Sequence, residues 1–170
     1  MKHLLILLAL GSMHVANAED AAPVCPKYIT CGSWEGSGRW YKADGKPERS
    51  PYQEKISIRG IDDKTAEADV MLFGRKAPEK PYHVTLKFAF EADGQYAAYL
   101  ADGRKLAIGH CMDGKVCTFA FVPFTSGGIA VGNVNVLRFE GDQLRRVLMV
   151  NEGLAKTETF FQRSLLKKVK

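Results

Sequence analysis

Short segments in which apolar and polar residues alternate run through most of this chain. Between residues 66 and 72 the even positions are apolar, and positions 67 and 69 are acidic. Val84, Leu86, Phe88 and Phe90 repeat the pattern, with polar residues at positions 85 and 87. This alternation is typical of a strand with one buried face. Because no segment has a helical period of useful length, we predict an all-β domain.

Tight-turn signals separate these segments. They are Asp44-Gly45, Asp93-Gly94, Asp102-Gly103, Asp113-Gly114 and Gly141-Asp142. Asp-Gly is a strong hairpin signal, because glycine adopts a positive φ without steric cost. The predicted strands are 33–42, 53–60, 66–73, 83–91, 95–100, 105–112, 116–124, 129–140, 143–151 and 157–168. About ten such strands predict a single up-and-down antiparallel β-barrel, since closure removes the exposed edges of a sheet.

The two ends of such a barrel differ in their connections. The turns expected at one end are short, which predicts a closed end. The connections at the other end include 43–52, 74–82 and 152–156, which are longer and predict a mouth. Basic residues outnumber acidic ones in the mouth connections. That excess is either an ordinary solvated rim or a preference for an anionic head group on a ligand.

The first residues have the features of a secretory signal. Residues 1–18 combine a basic start, an apolar run from Leu4 to Leu10 and the small-residue site Ala16-Asn17-Ala18. The apolar run is shorter than the ~20 residues that span a bilayer, which disfavours a membrane anchor. We therefore expect an exported protein, periplasmic or secreted, with no membrane segment after cleavage. Residues 19–31 would close the barrel end, and residues 32–170 would form the barrel.

Four cysteines, Cys25, Cys31, Cys111 and Cys117, follow the predicted signal. An even number in an exported protein indicates two disulfides, and their spacing is wider than that of a usual zinc site. A two-residue turn at Asp113-Gly114 would point Cys111 and Cys117 to opposite faces of their hairpin. We therefore expect Cys25 and Cys31 to pair with Cys111 and Cys117. A three-residue loop would instead allow a bond within the hairpin.

Charge and motifs exclude several function classes. The formal net charge is +5, but the charges are interspersed, without the basic helix or the aromatic–basic pattern of a nucleic-acid-binding protein. Ser126-Gly127-Gly128 lacks the strand–turn–helix context of a nucleophile elbow. His110 and Cys111 are neighbours on a predicted strand and would point to opposite faces. We assign no catalytic residue, metal or cofactor, and a cavity-based enzyme stays as an alternative.

The start of the first strand, Gly32-Ser33-Trp34-Glu35-Gly36-Ser37-Gly38, resembles the G-x-W motif of the calycin superfamily. The longer form G-x-W-x-G-x-G resembles the nitrobindin and bacterial lipocalin-like branch. The resemblance implies a calycin-like barrel in which the first-strand Trp packs against a basic residue of the last strand. Arg163 is the candidate partner of Trp34, in a structural cation–π contact.

One departure from that branch concerns haem. Nitrobindins bind haem through a His in the final strand, and residues 157–170 contain no His. The only histidines after the predicted signal are His83 and His110, and each is more often an ordinary strand residue than a haem ligand. Haem bound through Tyr or Met is therefore a minor alternative.

The function that these patterns favour is non-covalent binding of a small hydrophobic or amphipathic molecule inside the barrel. The partner is then a small molecule rather than a nucleic acid. The candidate cavity residues are Trp40, Val84, Leu86, Phe88, Phe90, Tyr96, Phe119 and Phe121. The main alternative is a fully packed barrel that acts as a protein-interaction or inhibitor module through its outer wall or loops.

Overall fold

The computed structural model describes residues 24–48, 51–74, 77–92, 94–121, 124–126, 129–152 and 158–169. Eleven strands occur in them. They are β1 (Gly32–Lys42), β2 (Tyr52–Gly60), β3 (Thr65–Gly74), β4 (Ala77–Ala92), β5 (Gln95–Leu100), β6 (Lys105–Met112), β7 (Val116–Phe121), β8 (Phe124–Ser126), β9 (Ile129–Glu140), β10 (Gln143–Glu152) and β11 (Glu158–Lys168).

Ten of these strands form a closed antiparallel ring. Each strand from β1 to β6 pairs with the next, β7 pairs with β9, and β9, β10 and β11 lead back to β1. The short β8 pairs with β9. The predicted all-β up-and-down barrel is confirmed. Strand bounds differ by more than one residue in two places: β4 begins six residues earlier than expected, at Ala77, and the expected strand 116–124 is divided into β7 and β8.

Side chains alternate between the interior and the outer wall, as the sequence predicts. In β2 every second residue from Tyr52 to Gly60 is buried, and the residues between them are exposed. The closed end of the barrel holds a dense core in which Trp34, Tyr96, Leu144 and Leu166 are almost completely buried. The described residues contain no helix long and apolar enough to cross a membrane. The predicted signal, 1–18, lies outside them.

Trp34 contacts a different basic residue from the one expected. The β1–β11 register places Lys168 opposite Trp34, and the Lys168 Nζ lies 6.0 Å from the centre of the indole. Arg163 lies opposite Arg39, nearer the mouth, and its guanidinium is 5.5 Å from the Tyr41 ring on the outer wall. The predicted Trp34–Arg163 pair is therefore wrong. The last strand runs five residues further along β1 than that pairing assumed.

The segment that precedes β1 lies across the closed end. The Tyr96 hydroxyl donates a hydrogen bond to the carbonyl of Lys27, and the Thr30 hydroxyl donates one to the carbonyl of Gly114 in the β6–β7 turn. Pro26 is fully buried, and the Tyr28 ring lies 6.4 Å from that of Phe90. The described part of the N-terminal segment thus contacts β4, β5 and the β6–β7 turn.

The disulfides join neighbours in sequence, which corrects the expected pairing. Cys25 is bonded to Cys31, and Cys111 to Cys117, with Cα–Cα distances of 5.9 and 4.0 Å. The β6–β7 hairpin has a three-residue loop, because Met112 pairs with Val116 and Cys111 pairs directly with Cys117. Asp113 and Gly114 both have positive φ, 49° and 65°. The two-residue turn on which the expectation rested does not form.

Packing of one aromatic ring explains this register. Phe119 is buried opposite Gly109, and a Cβ built on Gly109 would lie 2.2 Å from the Phe119 ring. The ring therefore occupies the space that a side chain at position 109 would fill. Ile108 lies on the outer wall and is half-exposed, at 50%. The expected register would have placed Ile108 inside, opposite Phe119 in place of Gly109.

This close approach gives a stability prediction. Gly109→Ala should lower the free energy of unfolding by about 1–3 kcal/mol, because the added methyl group overpacks the core against Phe119. Gly74→Ala is the matched control, since a Cβ at Gly74 meets nothing within 4 Å. Urea unfolding of the two variants measures the difference. Equal stability of both variants would contradict the observed β6–β7 register.

Candidate ligand-binding cavity

A cavity of about 360 Å³ lies in the mouth half of the barrel. We call it the upper cavity. Its apolar wall comes from β1, β3, β4, β6, β7 and β10, because the inward positions of these strands near the mouth carry large apolar side chains. The lining residues are Trp40, Val70, Leu72, Tyr82, Val84, Leu86, Leu106, Phe121, Asn133, Asn135, Arg146, Leu148 and Gln162.

A smaller cavity of about 30 Å³ lies below it, towards the closed end. The two cavities share part of their lining, namely Val70, Leu86, Phe121, Asn135 and Arg146. Phe88 and Phe119 line the smaller one, with ring centres 5.0 Å apart. The space that can hold a molecule is therefore in the upper half, and it narrows to a gap of about one water molecule above the packed core.

A buried ion pair lies at the polar side of the upper cavity. Arg146 Nη1 donates a hydrogen bond to Glu54 Oε1, and Arg146 Nε donates one to Asn135 Oδ1 at 3.2 Å. The side chains of Arg146 and Glu54 are only 9% and 0% exposed. Removing one partner of a buried pair leaves an uncompensated charge, at a typical cost of about 3–5 kcal/mol. The pair connects β10 to β2 through the interior, so it also orients the Arg146 guanidinium.

Two amide side chains continue this polar side. Gln162 is completely buried, and neither Oε1 nor Nε2 of its amide has a hydrogen-bond partner. Asn133 Oδ1 is also buried without a partner. An unsatisfied buried polar group costs about 1–3 kcal/mol. We call Asn133, Asn135, Arg146 and Gln162 the polar cluster; it is the part of the cavity wall that can form hydrogen bonds with a ligand.

Tyr52 lies on β2, two residues before Glu54. Its hydroxyl is 3.0 Å from the Ser164 hydroxyl on β11. Burial raises the pKa of Tyr52 to about 12, while the hydrogen bond with Ser164 works in the opposite direction. Glu54 raises this pKa further, and Arg146 lowers it. Tyr52 is therefore a neutral hydrogen-bonding group in the interior throughout the physiological pH range.

The candidate residues from the sequence divide between the cavity and the core. Trp40, Val84, Leu86 and Phe121 line the upper cavity. Phe88 and Phe119 reach only the smaller cavity. Phe90 and Tyr96 line neither of these cavities; their rings lie 5.4 Å apart in the closed end. Phe90 and Tyr96 therefore belong to the packed core. The sequence did not distinguish them from cavity residues, because aromatic side chains in the closed end and in the mouth half follow the same alternation.

The polar cluster was not predicted, although the chain contained a signal for it. Glu54 alternates with Tyr52 and Ile56 on the inward face of β2. Arg146 likewise lies between two apolar inward positions, Leu144 and Leu148. A polar residue at an apolar position of a period-2 pattern indicates a buried polar group. The prediction used only the apolar residues of each face, so it missed Glu54 and Arg146.

The positions of the two histidines and of the charged mouth residues concern the expectations about haem, metals and an anionic head group. His83 and His110 are both exposed on the outer wall, and His83 Nε2 lies 3.1 Å from Asp69 Oδ1. Among the described residues no group of His, Cys, Asp and Glu could hold a metal ion.

At the mouth, Lys46 pairs with Asp44 at 3.3 Å and Arg104 with Asp102 at 3.2 Å. Other charged mouth positions, including 49, 75 and 76, lie outside the described residues.

The pKa of Tyr52 predicts how stability changes at high pH. Its pKa of about 12 in the folded protein lies above the ordinary tyrosine pKa of about 10. The stabilisation is therefore fully present below pH ~10 and is lost as the pH rises through ~12, a change of about 2–3 kcal/mol. Urea unfolding of wild type and Tyr52→Phe across this range measures the difference in slope. Parallel pH profiles would contradict the burial of a neutral Tyr52.

Comparison with known proteins supports the fold. No protein-family model matches the chain, and no curated protein gives a significant match. An S-type phycobiliprotein lyase, CPES, from Guillardia theta has a TM-score of 0.58 at 10% identity, over 83% of this chain and 89% of its own. Rv2717c from M. tuberculosis has a TM-score of 0.52 at 13% identity, over 82% and 92%. At these identities the likeness shows the fold alone, a single antiparallel β-barrel.

Proposed function

We propose that the barrel binds a small hydrophobic or amphipathic molecule non-covalently in the upper cavity. The observation that supports this most strongly is the cavity itself, about 360 Å³ with mainly apolar walls and a small polar cluster on one side. Small-molecule sites are typically concave and apolar, occupy ~300–1,000 Å³ and contain a few polar groups that orient the ligand. The calycin-like fold is compatible with this function.

The position of the cavity supports entry through the mouth. Trp40 and Leu72 lie near the mouth ends of β1 and β3, and Leu148 lies midway along β10, whereas Trp34 and Leu166 lie in the closed-end core. An apolar ligand would replace water against these walls, at roughly 25 cal/mol for each Å² of apolar surface removed from water. Affinity therefore comes from the apolar walls, and orientation comes from the polar cluster.

The outer wall offers a second candidate site. A cleft of about 750 Å³ lies over β1, β10 and β11, and Arg39, Arg145 and Arg163 contribute to its lining. Arg39 and Arg163 are direct cross-strand neighbours. Adjacent like charges on a sheet are unfavourable unless something compensates them. An acidic partner would do so, and this would make the barrel an interaction module.

Two neighbouring residues of β10 distinguish these candidates. Leu148 lines the upper cavity, and Val147 lines the outer cleft and is 37% exposed. Leu148→Trp should weaken binding of the uncharged dye phenylnaphthylamine at least tenfold, because the indole fills the cavity. Val147→Trp should leave the affinity unchanged. A fluorescence titration measures both variants.

The opposite result would place the dye on the outer wall. Loss of binding in Val147→Trp, with full binding in Leu148→Trp, would contradict the cavity proposal and favour the outer cleft. Circular dichroism of both variants separates an effect on binding from unfolding.

We also propose that the protein is exported. Two disulfides support this, because such bonds persist in oxidising compartments. Mass spectrometry of the protein from its source should give a chain that begins at Glu19 and contains both bonds. A reduced chain that retains residues 1–18 would contradict export.

A further inference from the structure

The polar cluster limits the kind of head group that the cavity can accept. Its only positive charge, Arg146, is already hydrogen-bonded to the buried carboxylate of Glu54. The two charges compensate each other, so the cluster and its partner Glu54 are together neutral. A carboxylate or phosphate that entered would lose its hydration without finding an uncommitted counter-ion, and burying an unpaired charge is strongly unfavourable.

The groups of the cluster without partners are amides. Gln162 has a donor and an acceptor without hydrogen bonds, and Asn133 has an acceptor without one. Both residues line the upper cavity, and the Gln162 side chain is completely buried. An amide is satisfied by a group that both donates and accepts hydrogen bonds. A hydroxyl group does both, whereas an ionised carboxylate accepts only.

The neighbours of Gln162 leave its amide oxygen without a donor. The Tyr52 hydroxyl forms a hydrogen bond with Ser164 and can accept a second one from the Gln162 amide nitrogen, which lowers the pKa of Tyr52. Arg146 is bonded to Glu54 and Asn135. Gln162 lines the upper cavity together with Trp40 and Leu148.

Resting on the cavity function proposed above, we propose that the ligand has an apolar body and an uncharged, hydroxyl-bearing head group. The hydroxyl binds Gln162 and Asn133, and the Glu54–Arg146 pair makes the site select against carboxylates and phosphates. The long-chain alcohols and glycerol esters of fatty acids have this chemistry.

A matched series of amphiphiles tests the head group. Decanol, monodecanoylglycerol and decanoate have similar chains and differ at the polar end. In displacement of phenylnaphthylamine at neutral pH, where decanoate is ionised, both hydroxyl compounds should compete at concentrations at least tenfold lower than decanoate. This comparison uses the unmodified protein, so it does not depend on a variant that folds.

Two glutamine variants then locate the contact. Gln162→Leu should weaken the binding of monodecanoylglycerol about tenfold more than it changes the binding of the dye, which carries no hydroxyl group. Gln95→Leu, on the exposed face of β5, is the matched control and should change neither. If the affinity for monodecanoylglycerol falls in both variants, or in neither, Gln162 does not bind the head group.

The outcomes separate the two proposals. Dye binding in the cavity with decanoate as the best competitor, or with no competition from any amphiphile, would overturn the head-group inference and leave the cavity function standing. Failure of the dye to bind in the upper cavity would contradict the proposed ligand-binding function itself.

Discussion

Closure of the sheet into a ring is the constraint on which the rest of this structure depends. Ten strands pair with two neighbours each, which satisfies the backbone hydrogen bonds along every edge. The ring also encloses an interior that inward side chains must fill, because proteins pack their cores densely. How each level of the barrel is filled decides whether a ligand can enter there.

The two halves of the interior are filled in different ways. At the closed end, Trp34 packs against Phe139 with ring centres 5.3 Å apart, and the segment before β1 covers this core. In the mouth half, the Glu54–Arg146 pair takes the place of apolar side chains and leaves a cavity beside it. A buried pair is a weak source of stability compared with apolar packing. Arg146 of this pair lines the cavity, and the head-group selectivity proposed above rests on that position.

The sequence predicted the barrel well and the interior contacts less well. Alternation in β3 and β4 correctly predicted which faces point inward, because hydrophobic burial acts on every second residue. Alternation gave the wrong faces at the β6–β7 hairpin. There the Phe119 ring packs against Gly109, and Ile108 lies on the outer wall. Volume complementarity across strands is not visible in the pattern of a single strand. The Trp34 partner was missed for a related reason, since register depends on the whole β1–β11 pair.

The central claim is that a molecule binds in the mouth half of the barrel, above a packed core. Intermolecular nuclear Overhauser effects between bound phenylnaphthylamine and methyl-labelled protein test it most directly. We expect NOE contacts from the dye to Val84 and Leu148. We expect none to Leu144 and Leu166, which are completely buried in the closed end. Contacts to Leu144 and Leu166, or to Val147 on the outer wall, would contradict it.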